Sequence, residues 1–157
     1  MGILLMETLN WMDKSAWTDG EWQQEPDRIE WVFLGFPCLI VRQNESWLCG
    51  YVGIPPTHPY YGKDMEDKEL KKIYIDKSIT FSEGSHHSDD PRAVNHQLLP
   101  TTDDYWWIGF DCSHYDDVFP AIIKFYNFSS DASYKNVEYV KTQVEFLARQ
   151  LNQLQLQ

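Results

Sequence analysis

Toward the end of the chain, Val137, Val140, Val144, Leu147, Leu151 and Leu154 recur at alternating spacings of three and four. That rhythm puts them on one stripe of a helix, with polar residues opposite. Asn136 stands where an N-cap belongs, and Glu138 falls in the first turn, where the helix dipole favours an acid. The glutamine-rich tail "NQLQLQ" is expected to fray. A more ragged stripe, Ile3, Leu4, Met6, Leu9, Trp11 and Met12, predicts a second helix over residues 3–16, ended by Gly20 and Pro26. Between the two lie segments of strand character. "RIEWVFLGF" alternates Ile29, Trp31 and Phe33 on one face, with Val32 and Leu34 on the other. Cys38–Arg42 and Trp47–Val52 flank the polar turn "QNES" and predict a hairpin. "IYIDKSITFSE" holds one or two strands, and "DYWWIGFDC" is the strongest strand pattern of the chain. "FPAIIKFYNF" either continues the sheet or passes into a short helix.

The connections are as distinctive as the elements. "GIPPTHPYYG" carries three prolines, whose missing N–H groups exclude it from helix and from central strand. It predicts a stiff loop presenting His58, Tyr60 and Tyr61, either as a binding surface or as a lid over the core. "KDMEDKELKK" reads as a solvated turn or short helix. "GSHHSDDPRAVNHQLLPTTDD" is a long polar connection, of a length usually functional or mobile. There is no internal repeat and no linker. The economical architecture is a single α+β domain over residues 1–157. It has a mixed or mainly antiparallel sheet packed by an N-terminal and a C-terminal helix.

Composition narrows the function. The 157 residues carry a net charge of −11, and 15% are aromatic, with seven tryptophans. Such an acidic chain is poorly suited to direct nucleic-acid binding, which needs clustered Lys and Arg. It suits a basic partner or plain solubility. The start, "MGILLMETLNWMDK", lacks the basic n-region of a signal peptide. Met6 stands where a myristoylation motif wants Ser or Thr. No apolar run approaches the roughly 18 residues of a membrane span. Cys38, Cys49 and Cys112 form an odd, widely spaced set without a CxxC pair, consistent with a reducing cytoplasm.

Two groups of residues have the types that chemistry needs. In "WWIGFDCSHYDD", strand alternation puts Cys112 and His114 on the face of Ile108 and Phe110, with Asp111 opposite beside Trp107. Cys112, His114, Asp111 and Asp116 would supply nucleophile, base and orienter of a small hydrolase, or ligands of a metal. The plainer reading makes Cys112 a core thiol and His114 part of a polar turn, and acidic neighbours disfavour a thiolate. His86, His87 and His96 with Asp89 and Asp90 could bind a divalent metal, but chance clustering in a mobile loop is the plainer reading unless the loop folds against His114 and Asp111. The usual nucleotide, metalloprotease, esterase and deaminase motifs are absent, and the sequence calls for no cofactor.

The stretches "GFPCLIVR", "LCGYVGIPPTHPYYG", "ITFSE", "WWIGFDCSHYDD" and "YKNVEYVKTQVEFLARQL", in order over most of the chain, resemble a family of short, mostly uncharacterised phage and bacterial proteins with a GFDC-x-H element, here Gly109–His114. The resemblance implies a host-interaction or anti-defence role and no particular reaction. A His-Gly-Gly element that it implies before "ITF" is replaced here by "DKS", which weighs against catalysis.

The leading expectation is therefore an acidic interaction module of phage type. It would inhibit a basic host protein, such as a nucleic-acid-binding nuclease or other defence effector, by covering its basic surface. Asp64, Glu66, Asp67 and Glu69, together with Asp89, Asp90, Asp103 and Asp104, are the carboxylates expected to contribute. The alternatives are the Cys/His/Asp enzyme above and a nucleotide binder using Arg42, Lys77 and Arg92.

Overall fold

The computed structural model describes residues 6–76, 78–84, 88–94, 96 and 104–156. In these residues the strand patterns resolve into β1 (Met6–Leu9), β2 (Arg28–Phe33), β3 (Phe36–Arg42), β4 (Leu48–Ile54), β5 (Phe81–Gly84) and β6 (Trp106–Asp111). They form one six-stranded sheet in the order β1-β2-β3-β4-β6-β5, and every pairing is antiparallel. The single α-helix among the described residues, α1 (Val137–Gln155), packs on β3 and β4. The architecture is α+β, with an antiparallel sheet and a C-terminal helix.

The N-terminal helix expected over 3–16 does not form. Its described part contains β1, which extends the sheet edge with Met6 opposite Trp31 and Leu9 opposite Arg28. The strand stops because the buried Asp27 carboxylate accepts the N–H groups of Trp11 and Met12 and turns the chain. A helix there would take those donors away from a buried carboxylate.

The expected strands form with shifted boundaries. "RIEWVFLGF" is two strands. Leu34 and Gly35, both at positive φ, form a two-residue turn between the facing Phe33 and Phe36, as tight hairpins require. The expected hairpin is β3–β4, closed by Gln43 and Ser46 around the polar turn. Among the described residues of "IYIDKSITFSE" one strand forms, β5. Residues 74–76 bind instead to α1: the Gln150 side chain pairs with both backbone groups of Tyr74, and Gln143 accepts the N–H of Asp76. "FPAIIKFYNF" becomes a short 3-10 turn, Pro120–Ile122. The glutamine tail, expected to fray, instead remains helical to Gln155.

Alternation divides the core in two. On the helix side, Ile29, Trp31, Cys38, Ile40, Val52, Ile108 and Phe110 meet Val140, Val144, Leu147 and Leu151 of α1. Gly50 makes this contact close, since a Cβ there would lie 2.5 Å from Val144 and 2.7 Å from Phe110. On the opposite side, Leu39, Val41, Cys49, Tyr51 and Trp107 are joined by Val94 of the long connection.

Candidate functional site

The helix-free face of the sheet carries two buried polar residues, Arg28 and Glu30, side by side on β2. The Arg28 guanidinium donates to Glu30 at 2.7 Å and to the carbonyls of Pro91, Ala93 and Val94. A buried guanidinium needs such partners, and burial lowers its pKa despite the Glu30 charge. These bonds fasten residues 91–94 over the sheet. Just before that segment, Asp90 holds Arg92 through a bidentate pair at 2.9 and 2.7 Å, which keeps the Asp90 pKa down at about 2.

Between the fastened segment and strands β4, β5 and β6 lies a cavity of about 500 Å³. Trp47, Tyr51 and Phe81 wall it, together with Cys49, Glu83, Asp111, Arg92 and Val94. The register explains the assembly. Cys49 faces Asp111 across the β4–β6 pair, while Tyr51 and Phe81 flank Gly109 from either side. The Tyr51 and Phe81 rings meet edge to face at 5.2 Å over that glycine. A Cβ at Gly109 would come within 2.3 Å of the Tyr51 ring. Burial and the neighbouring Asp111 charge push the Cys49 thiol up to about 12 and the Tyr51 hydroxyl well above its ordinary value. Both stay neutral at physiological pH, so the acidic side chains lining the cavity are Asp111 and Glu83.

Asp111 and Cys112 point to opposite sides, as the alternation predicts. Cys112 is 2% exposed and belongs to the helix-side core. The strand ends at Asp111, so His114 does not continue the Cys112 face. Its backbone N–H and Nδ1 are 2.9 and 3.1 Å from Oδ2 of the buried Asp117. The other Asp117 oxygen lies 2.9 Å from Lys135 Nζ. Since a carboxylate only accepts, Nδ1 carries a proton, and Nε2 faces Asp111 at 4.0 Å. Asp116 contributes its backbone carbonyl to Ser133 and Lys135. The corner thus orients a histidine toward the cavity carboxylate, with the Cys112 thiol turned into the core. Among the described residues, no group of three His, Cys, Asp or Glu side chains is placed to hold a metal.

The other expected residues are dispersed. His58 is buried, with Nδ1 accepting the Tyr60 N–H and Nε2 donating to the Leu151 carbonyl of α1 at 2.7 Å. Tyr60 is buried beside it, so these two rings close the core as a lid. Tyr61 is half-buried and donates to Asp104 at 2.5 Å. Asp64 and Glu66 are exposed, while Asp67 pairs with Lys63 and Glu69 with Lys72. Asp89 is exposed and Asp90 is tied to Arg92. Asp103, His86, His87 and Lys77 lie outside the described residues, and His96 Nδ1 contacts the Ser88 carbonyl. Arg42, expected as an anion ligand, is wholly buried and bonded to Asp27, Glu25, Tyr134 and two carbonyls.

Trp47, Tyr51, Phe81 and Glu83, together with Arg28, escape the sequence reading. Period-two alternation puts Cys49 and Tyr51 on one face, but only the register brings Asp111 and Phe81 beside them. Comparison with known proteins finds no matching family model, no matching curated protein and no matching solved structure.

Proposed function

We propose that this chain is an acidic protein-interaction module that covers a basic surface of its partner, of the kind a nucleic-acid-binding nuclease presents. One observation carries the reading: many of the chain's few cations are spent internally while carboxylates remain at the surface. Arg28 and Arg42 are wholly buried, and Lys14, Lys63, Lys72, Arg92 and Lys135 are paired with carboxylates. Asp64, Glu66, Glu83 and Asp89 are exposed, and the net charge is −11. The field outside the molecule is therefore negative and attracts basic surfaces. The narrower reading, inhibition of a host defence protein by a phage-type protein, adds to this only the resemblance of the Gly109–His114 element.

The test is binding of labelled poly-arginine, followed by anisotropy from low to high salt. An affinity that falls by about tenfold or more supports steering by charge. An affinity unchanged by salt, or no binding at low salt, defeats the reading.

A further inference from the structure

The cavity on the helix-free face has a chemistry that selects its occupant. Its aromatic walls, Trp47, Tyr51 and Phe81, offer ring surface, and its acidic side chains are Asp111 and Glu83. Among the described lining residues the one Lys or Arg is Arg92, and it is neutralised bidentately by Asp90. An anionic ligand would face two carboxylates, with no unpaired Lys or Arg among the described lining residues to offset them. A hydrated ammonium would gain charge contact but little from the rings. A guanidinium is planar and weakly hydrated, stacks on aromatic faces and pairs bidentately with a carboxylate.

We propose that this cavity receives an arginine side chain projecting from the basic partner, stacked among Trp47, Tyr51 and Phe81 and paired with Asp111. The proposal rests on the interaction-module reading and names the group recognised. The Arg28 bonds to the 91–94 carbonyls keep the cavity's outer wall in place before binding, which limits the ordering cost. The neutral Cys49 thiol and Tyr51 hydroxyl line it without competing for the guanidinium.

The experiment titrates the full chain with N-acetyl-arginine amide, N-acetyl-lysine amide and N-acetyl-citrulline amide, the last a neutral isostere. Binding is followed by amide and indole NMR shifts. The arginine compound should give saturable shifts at the Trp47 indole and the Phe81 and Asp111 amides. Lysine should bind more weakly, and citrulline by about tenfold, the loss of a charge-assisted contact worth near 1.4 kcal/mol. Asp111→Asn should weaken arginine binding similarly. The more exposed Glu83→Gln serves as a second variant if Asp111→Asn disturbs the fold. Absence of saturable shifts at these residues, or citrulline binding as well as arginine, overturns the proposal. So do variants that leave arginine binding unchanged; salt-sensitive poly-arginine binding that persists in them leaves the module reading standing. Arginine binding in the cavity without any poly-arginine affinity supports the cavity and removes the module reading.

Discussion

Arg42 and Asp27 show how single residues organise this molecule. Arg42 is buried at the end of β3, and its guanidinium reaches Glu25 and Asp27 just before β2 and Tyr134 just before α1, two segments far apart in sequence. Asp27 in turn gathers Trp11, Met12 and Lys14, while Glu25 accepts the first N–H of α1 at Val137. Removing one member strands the others: Arg42→Met should cost about 3–5 kcal/mol in urea unfolding, the penalty of an uncompensated buried charge. A loss under 1 kcal/mol would mean that water or rearrangement satisfies Asp27. His58 is the second instance. Burial lowers its pKa from the ordinary 6.5, and both nitrogens are engaged only in the neutral form. The unfolded chain therefore binds the proton more readily. The stability His58 contributes is whole above about pH 6.5 and is lost as pH falls from there through the lowered folded value. His58→Gln should remove that part of the slope between pH 7.5 and 5. Identical slopes for the two proteins would contradict the neutral pin. A histidine in "PPTHPYYG" is visible in sequence, but its role is set by a helix carbonyl 93 residues away.

At the scale of elements, the "GFDC" run acquires a structural meaning at each position. Gly109 makes room for the Tyr51 ring, Phe110 and Cys112 fill the helix-side core, and Asp111 turns to the cavity. Gly109→Ala would bring its Cβ within 2.3 Å of Tyr51, and should destabilise by about 1–3 kcal/mol through overpacking. Gly84→Ala in neighbouring β5 meets nothing closer than 3.6 Å among the described residues and should stay within about 0.5 kcal/mol of wild type. Thermal melts of the two variants check the contrast, and equal shifts would contradict the register. Asn136→Ala should lower stability by about 1 kcal/mol, since the Asn136 side chain accepts the Tyr139 N–H. This helix was readable because its determinants are local: a 3.6-residue stripe and a cap. β1 was not, because its apolar residues satisfy a helical stripe as well as a strand. Pairing with β2 and the Asp27 carboxylate decide between them.

For the whole molecule, charge and burial separate the functional alternatives. All three cysteines are buried and outside any disulfide, so none is offered to solvent as a nucleophile. A thiol reagent should label the native protein only at the rate of opening, and all three sites together once it is unfolded. A single fast equivalent assigned to Cys112 would restore the enzyme reading. Length, charge, patterning and turn chemistry by themselves determined an acidic α+β chain with a C-terminal helix, a β3–β4 hairpin and the opposed faces of Asp111 and Cys112. These follow from period, propensity and local backbone geometry, which each segment carries within itself. Tertiary structure alone decided that β5 lies at the sheet edge beyond β6, that Arg28 clips residues 91–94 onto the sheet, and that Arg42 is a buried hub. It also decided that Tyr51, Phe81 and Asp111 enclose one cavity. Those outcomes depend on register and on contacts between residues distant in sequence, and a pattern of period two is compatible with many registers until the strands pair.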